Sequence, residues 1–353
     1  MNLLMNPPGS WNESIQQLKL AWQAGRFPQA LLLTGPTGIG KKQLAMDLVA
    51  FLTCSNADKR PCGTCFNCKM AYEPGASDHW LVPLIIDSDD RKKKEKVDEA
   101  TSEVLNTVIP NPYHSGLIPS TASIYVDQVR FMEDRLSLKS TGVRAFIILE
   151  ADAMNENAAN ALLKRLEEAP PQTYFILTCS SRHRLMQTIQ SRCMPMQLPP
   201  LTAGEISTIL AACGHQSVGA DLLGMSMGSV GKAMQCIEMD LDTTILRAEE
   251  FLSFVAGKQW SPLFFSMDEW FSKETDPAVY FLEVLAVLLE DGLRKSSGVD
   301  LRLPTRNGGG GAHYSPDQVS RYVGVISEAQ NRIIDRRGSV SMILQTMALQ
   351  FQS

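Results

Sequence analysis

Apolar and polar positions follow two periods along the chain, and the switch between them marks out the elements. Residues 11–24 read as an amphipathic helix that Asn12 or Ser14 can cap. Residues 30–34 form a short apolar run ending in a glycine-rich turn, and helical spacing returns over 41–52. A charge run occupies 87–99, and 111–123 is rich in Pro, Ser and Gly, so 87–123 reads as a surface excursion holding one helical piece. Val126, Val129, Met132 and Leu136 restore helical spacing. A buried-type strand over 144–149, a helix over 158–168, a strand over 174–178, a helix over 182–189 and a strand over 194–198 follow. This alternation predicts an α/β core with a parallel sheet covered on both faces. Pro195, Pro199 and Pro200 interrupt the pattern, and beyond Leu201 the expected elements are helical. Residues 202–213 and 217–238 make a small helical unit; 278–295, 316–335 and 339–351 make a terminal bundle. Gly308 to Gly311 falls in a flexible loop between bundle helices. No internal repeat is visible.

The length, 353 residues, suits two or three domains with real cores. Lysine and arginine (33) against aspartate and glutamate (38) leave a net charge of −5, which argues against a generic polyanion binder. No apolar run approaches the ~18 residues of a membrane span. The first 17 residues lack a signal-peptide pattern. Eight cysteines without an export signal suit a reducing cytoplasm, where clustered thiols bind metal more often than they pair.

Gly35-Pro36-Thr37-Gly38-Ile39-Gly40-Lys41, between a strand and a helix, fits the phosphate-loop pattern. Glycines let backbone N–H groups curl around phosphate oxygens, and lysine adds a point charge at the helix start. Gly35, Thr37, Gly38, Gly40 and Lys41 are the candidate nucleotide contacts. The next position calls for a hydroxyl that ligates Mg²⁺, and Lys42 stands there instead. A metal-holding aspartate belongs at the end of a later strand. In the favoured register Leu149 takes that place and Glu150 is a vestigial water-orienting acid; a shifted register offers Glu150 or Asp152 as ligand. With both anchors missing, hydrolysis by the isolated chain is not expected, and the nucleotide site is weak or empty.

Cys54, Cys62, Cys65 and Cys68 supply four soft ligands in turn-forming sequence, the pattern of a closed structural Zn²⁺ site. Cys179, Cys193, Cys213 and Cys236 are scattered, and the first two read as buried thiols. Ser191-Arg192-Cys193 lies between the 182–189 helix and the last strand. An arginine at that edge can reach a neighbouring subunit's γ-phosphate as an arginine finger.

At these residues the chain resembles the clamp-loader family of AAA+ proteins. The likeness runs through residues 25–30, Gly35 to Lys41, the four cysteines, Glu150-Ala151-Asp152, the string from Asn160 to Glu168, and Ser191-Arg192-Cys193. It implies an AAA+ core over 1–198 with a zinc module at 54–68, a helical lid over 199–240 and a helical collar over 241–353. It further implies a non-motor, stator-like subunit of the loader in the DNA polymerase III holoenzyme, presenting Arg192 in trans. The implied partners are motor subunits of the gamma/tau type and a delta subunit, with sliding clamp and primed DNA reached through the complex and no membrane. The motor pattern is broken at Lys42, at Leu149 and at Gly231, where motor subunits tend to carry a phosphate-contacting arginine that Lys232 replaces in part. Gln29 stands where the family usually has histidine, and 87–123 is longer than the family's connection there. Two rival readings are an ATP-hydrolysing motor of the same loader and a direct DNA binder using the zinc module with Arg91-Lys92-Lys93-Lys94. Nearby Asp87, Asp89, Asp90, Glu95, Asp98 and Glu99 balance those four cations, so the stretch reads as a solvated face.

Overall fold

A computed structural model describes residues 2–73, 79–114, 118–119, 121–137, 142–216, 218–271, 275–306, 314–335 and 338–351. The glycine run at 308–311 lies outside the described residues. The chain divides into two compact units, residues 1–216 with 228–232, and residues 217–227 with 233–353.

The first unit is built on a parallel sheet of strands β1 (Ala30–Thr34), β2 (Trp80–Leu81), β3 (Arg144–Ile148), β4 (Thr173–Cys179) and β5 (Met194–Gln197), in the order β2-β3-β4-β1-β5. All five residues of β1 are buried, as expected for a central parallel strand with both faces covered. Helices α1 (Asn12–Gln23), α2 (Lys41–Thr53), α3 (Phe66–Met70), α4 (Lys94–Val108), α5 (Val126–Ser137), α6 (Glu156–Glu167), α7 (Gln187–Gln190) and α8 (Ala203–Ala212) surround it. Helix α2 packs on β1, β3 and β4. Another core joins Leu32, Phe146, Phe175 and Leu177 of the sheet to Val129 and Met132 of α5 and to Leu162 and Leu166 of α6.

The predicted α/β alternation is present, with local differences. Neither Asn12 nor Ser14 caps α1; a 3₁₀ turn at Gly9–Trp11 leads into the helix, and buried Trp11 anchors it by donating from Nε1 to Pro199 O at 3.1 Å. The expected helix at 182–189 is broken into a 3₁₀ turn, Arg182–Arg184, and the short α7. Gln190 Nε2 donates to the carbonyls of Arg182 and Leu185 at the break, both at 2.8 Å, replacing helical partners. The 87–123 excursion contains its helix, α4, but it is less superficial than expected. Val97, Thr101, Leu105 and Val108 are buried, and so is Tyr113 beyond them.

Among the described residues the second unit is helical, with α9 (Ala220–Ser226), α11 (Leu241–Ala256), α12 (Trp260–Trp270), α13 (Thr275–Ser296), α14 (Pro316–Ile334) and α15 (Val340–Gln350); α10 (Val230–Glu238) is divided between the units after Lys232. Its core is rich in aromatic rings. Phe271 and Phe281 lie 4.9 Å apart between centroids, and Tyr322 stacks on Phe351 at 4.2 Å while donating its hydroxyl to Phe351 O. Buried Asp291 accepts from the N–H groups of Arg302 and Leu303, fixing the chain that leaves α13.

Candidate functional site

The glycine-rich loop joins β1 to α2, as the phosphate-loop pattern demands, and the carbonyls of Gly35, Pro36, Thr37 and Gly38 accept hydrogen bonds from the chain itself. Lys41 Nζ turns back to donate to Gly35 O (2.8 Å) and Pro36 O (2.7 Å). Burial pushes its pKa down to about 8, against the opposing pull of Glu150 and Asp152. Lys42 Nζ donates to His114 O at 2.7 Å, and burial pushes it down to about 8 as well. A tethered ammonium at the Mg²⁺-hydroxyl position offers no cation ligand.

The outer side of the loop is closed by residues 228–232. Ser229 Oγ donates to Thr37 O, and Gly231 N to Gly38 O, each at 2.9 Å. Gly38 has φ +76, and a Cβ on it would lie 2.6 Å from Ser229 Oγ. A Cβ on Gly231 would lie 2.2 Å from Tyr113 O and 2.9 Å from Gly38 Cα, so no arginine fits at this position without moving backbone. Tyr113, Leu3 and Trp11 pack around Gly40. Leu3 is held there by Asp47, fully buried on α2, which accepts from the N–H groups of Leu3 and Leu4, from Gln43 Nε2 and from Tyr72 OH.

At the end of β3, Leu149 is fully buried and donates its N–H to Leu81 O. Glu150 follows with φ +47 and donates its N–H to Thr178 Oγ1 at 2.9 Å. Burial raises the Glu150 carboxyl above its ordinary range, opposed by Lys42 and, more weakly, Lys41. Asp152 accepts from Ser180 N and Ser181 N, which ties its carboxylate to the turn after β4.

The four clustered cysteines meet at the other end of α2. Thirteen helical residues at ~1.5 Å each separate them from the loop by about 20 Å. Their sulfurs lie within 4.8 Å of one another, with Cys62–Cys68 and Cys54–Cys65 both at 4.0 Å. A tetrahedral site with Zn–S bonds of about 2.3 Å has sulfur–sulfur edges of about 3.8 Å, so this donor set fits a metal ion of that kind. The N–H groups of Cys62, Cys65 and Cys68 point at Cys54, Cys62 and Cys65 sulfur at 3.4, 3.3 and 3.4 Å. Such bonds favour thiolates: hydrogen bonds led by Ser55 hold Cys65 at about 5, and those led by the Cys65 N–H lower Cys62. Burial pushes Cys68 up to about 12. Cys179 and Cys193 are buried thiols, as expected.

Arg192 sits in the turn between α7 and β5, with its N–H on Ile189 O and the following Cys193 buried. Its side chain is about one-third exposed and ion-paired to Glu167 at the end of α6, while Nη1 donates to Thr188 O at 3.1 Å. Arg91 lies over the Tyr125 ring, and Lys93 pairs with Asp90 at 2.9 Å. The loop residues, Glu150 and Asp152 thus come together, whereas the cysteines and Arg192 form separate sites. Tyr113, His114 and Glu167 escaped the sequence reading. Only Glu167 left a signal there, as one of two acids ending a helix that favours bases.

The family model described as "DNA polymerase III, delta subunit" matches residues 11–202. The delta-prime subunit of Escherichia coli DNA polymerase III is 25% identical over 335 residues, 92% of this chain and 88% of that protein. The Pseudomonas aeruginosa delta-prime subunit is 32% identical over 205 residues, 57% of this chain and 53% of that protein. Among solved structures, a gamma subunit-related protein of Thermotoga maritima shares the fold, with TM-score 0.51 and 12% identity over 95% of this chain and 98% of its own. A phosphate loop with lysine at the hydroxyl position, a four-cysteine module and a Ser-Arg-Cys turn thus occur within a matched stretch that covers more than half of the sequence, and the chain belongs to the DNA polymerase III delta-prime family of clamp-loader subunits.

Proposed function

We propose that this chain is the stator-like, non-motor subunit of its loader and lends Arg192 to the ATP of a neighbouring motor subunit. The observation that carries this reading is Lys42, tethered to the His114 carbonyl where a Mg²⁺-ligating hydroxyl would stand, with Lys41 turned back onto the Gly35 and Pro36 carbonyls. A loop so engaged favours a role in shape and in trans over one in hydrolysis. Cys54, Cys62, Cys65 and Cys68 would hold Zn²⁺, which supplies a cross-link between the end of α2 and α3 and no open position for chemistry. The partners are motor subunits of the gamma/tau kind and a delta subunit in the cytoplasm, with clamp and primed DNA engaged through the assembled complex.

The test is DNA-stimulated ATP turnover by complexes reconstituted with wild-type, Arg192→Ala or Arg192→Lys chain, with equal assembly checked by gel filtration. A full arginine finger is worth ~10³-fold or more at its own site. The drop for the whole complex is smaller, because other sites keep their own arginines. Arg192→Lys fails too, since a point charge does not reproduce the planar fork. Equal activities would make Arg192 a surface residue, and motor-like turnover by the isolated chain would restore the motor reading.

A further inference from the structure

Two sequence strings that look independent, the one ending at Glu167 and the one centred on Arg192, meet in the folded chain. Glu167 is the last helical residue of α6, with Glu168 behind it. Acids there face the negative end of the helix dipole, a placement that disfavours them. Arg165 of that last turn pairs instead with Glu133 on α5 at 2.8 Å. The partner of Glu167 is Arg192, through Nε and Nη2. With the two side chains 38% and 49% exposed, the pair adds little to stability. What it provides is orientation.

A guanidinium has five N–H donors. Here Nε–H donates to Glu167 Oε1, Nη2 sits in ion-pair contact with the same oxygen, and one Nη1 donor goes to Thr188 O. At least one donor on each terminal nitrogen stays outside these bonds, enough to grip two oxygens of a phosphoryl group side by side. We infer that Glu167 is the positioning residue of Arg192. Together with the Thr188 carbonyl it holds the guanidinium as a preset fork and leaves those two donors for the outer oxygens of a neighbour's transferring phosphate. This rests on the trans role of Arg192 proposed above. The carboxylate takes one edge of the fork and the phosphate the other, so both stay bound through the reaction. A long, free arginine would have to be ordered at each turnover, whereas a clamped one is ordered in advance.

The experiment uses reconstituted complexes carrying Glu167→Ala, Glu167→Gln, Arg192→Ala, or Glu167→Ala with Arg192→Ala, each checked for assembly by gel filtration and for folding by thermal melting. Turnover is resolved into kcat and KM for ATP. Glu167→Ala should lower kcat at the affected site by about tenfold to a hundredfold, and KM should stay put, because the neighbour's own loop holds the nucleotide. Glu167→Gln, which keeps an oxygen for Nε–H, should lose less. Adding Glu167→Ala to Arg192→Ala should cost nothing further. An unchanged or raised kcat for Glu167→Ala would overturn the inference, the raised value marking the carboxylate as a competitor for the arginine. So would an equal loss in the Arg192→Ala background. If Arg192→Ala alone leaves turnover unchanged, the trans role fails first and takes this inference with it.

Discussion

Lys41, buried, and Lys42, half-buried, are neighbours with similarly lowered pKa, yet the sequence assigns them opposite meanings. Lys41 fits the phosphate-loop pattern and Lys42 breaks it. In the structure both do the same thing: each ammonium is satisfied by backbone carbonyls, which a buried charge requires. The missing hydroxyl at 42 is therefore one obstacle among several. Restoring both metal anchors with Lys42→Thr and Leu149→Asp should still give no Mg²⁺-dependent nucleotide binding, measured with a fluorescent ATP analogue. Lys41 Nζ, the cation such a loop turns to phosphate, would still be bonded to the carbonyls of Gly35 and Pro36. Leu149 is fully buried, so a carboxylate there should also cost ~3 kcal/mol or more, read as a lowered melting temperature. Tight binding by the double variant would show that the loop opens readily.

Helix α2 carries the two ends of the core's chemistry, with the loop at its start and Cys54 just past its last turn. Metal at the cysteines would thus pin the far end of the element that closes the loop. Cys65→Ser should lower bound zinc, by elemental analysis, and thermal stability together, because the metal ion would lose one of its four thiolate ligands. Native protein prepared without chelator and free of zinc would sink this. Elements with a long, clean period were legible in sequence. The run over 30–34, the turn and the helix after it stand where expected, and so does α6. Other elements were hidden for physical reasons. Strand β2 is two residues long and leaves no alternation to read. Helix α12 hides behind Pro262, which sits in the first helical turn, where its missing N–H has no intrahelical partner to lose. The 182–189 stretch had a helical pattern because Leu185 and Ile189 are both buried four residues apart, a spacing that the broken chain satisfies equally well.

For the whole molecule, residue identity and spacing named the parts but not the contacts between distant ones. Gly231 was visible as an absent arginine, but the Tyr113 carbonyl that fills the space was not, since the two are joined only by the fold. The same holds for Glu167 and Arg192. The proposed non-motor role bears on energy flow through an assembly. A ligand shifts a conformational equilibrium only by its difference in affinity between the two states. A motor subunit supplies such a difference each time nucleotide binds and leaves. A subunit that takes up no nucleotide, as proposed for this one, has none to supply, so it stays a constant while its neighbours vary. Its thermal midpoint should then be flat against millimolar Mg²⁺·ATP in a calorimeter. A true site held at a hundred times its Kd would add about 2.7 kcal/mol and raise the midpoint by several degrees. Every ATP-dependent change in the grip on this chain would have to be generated on the other side of its interfaces.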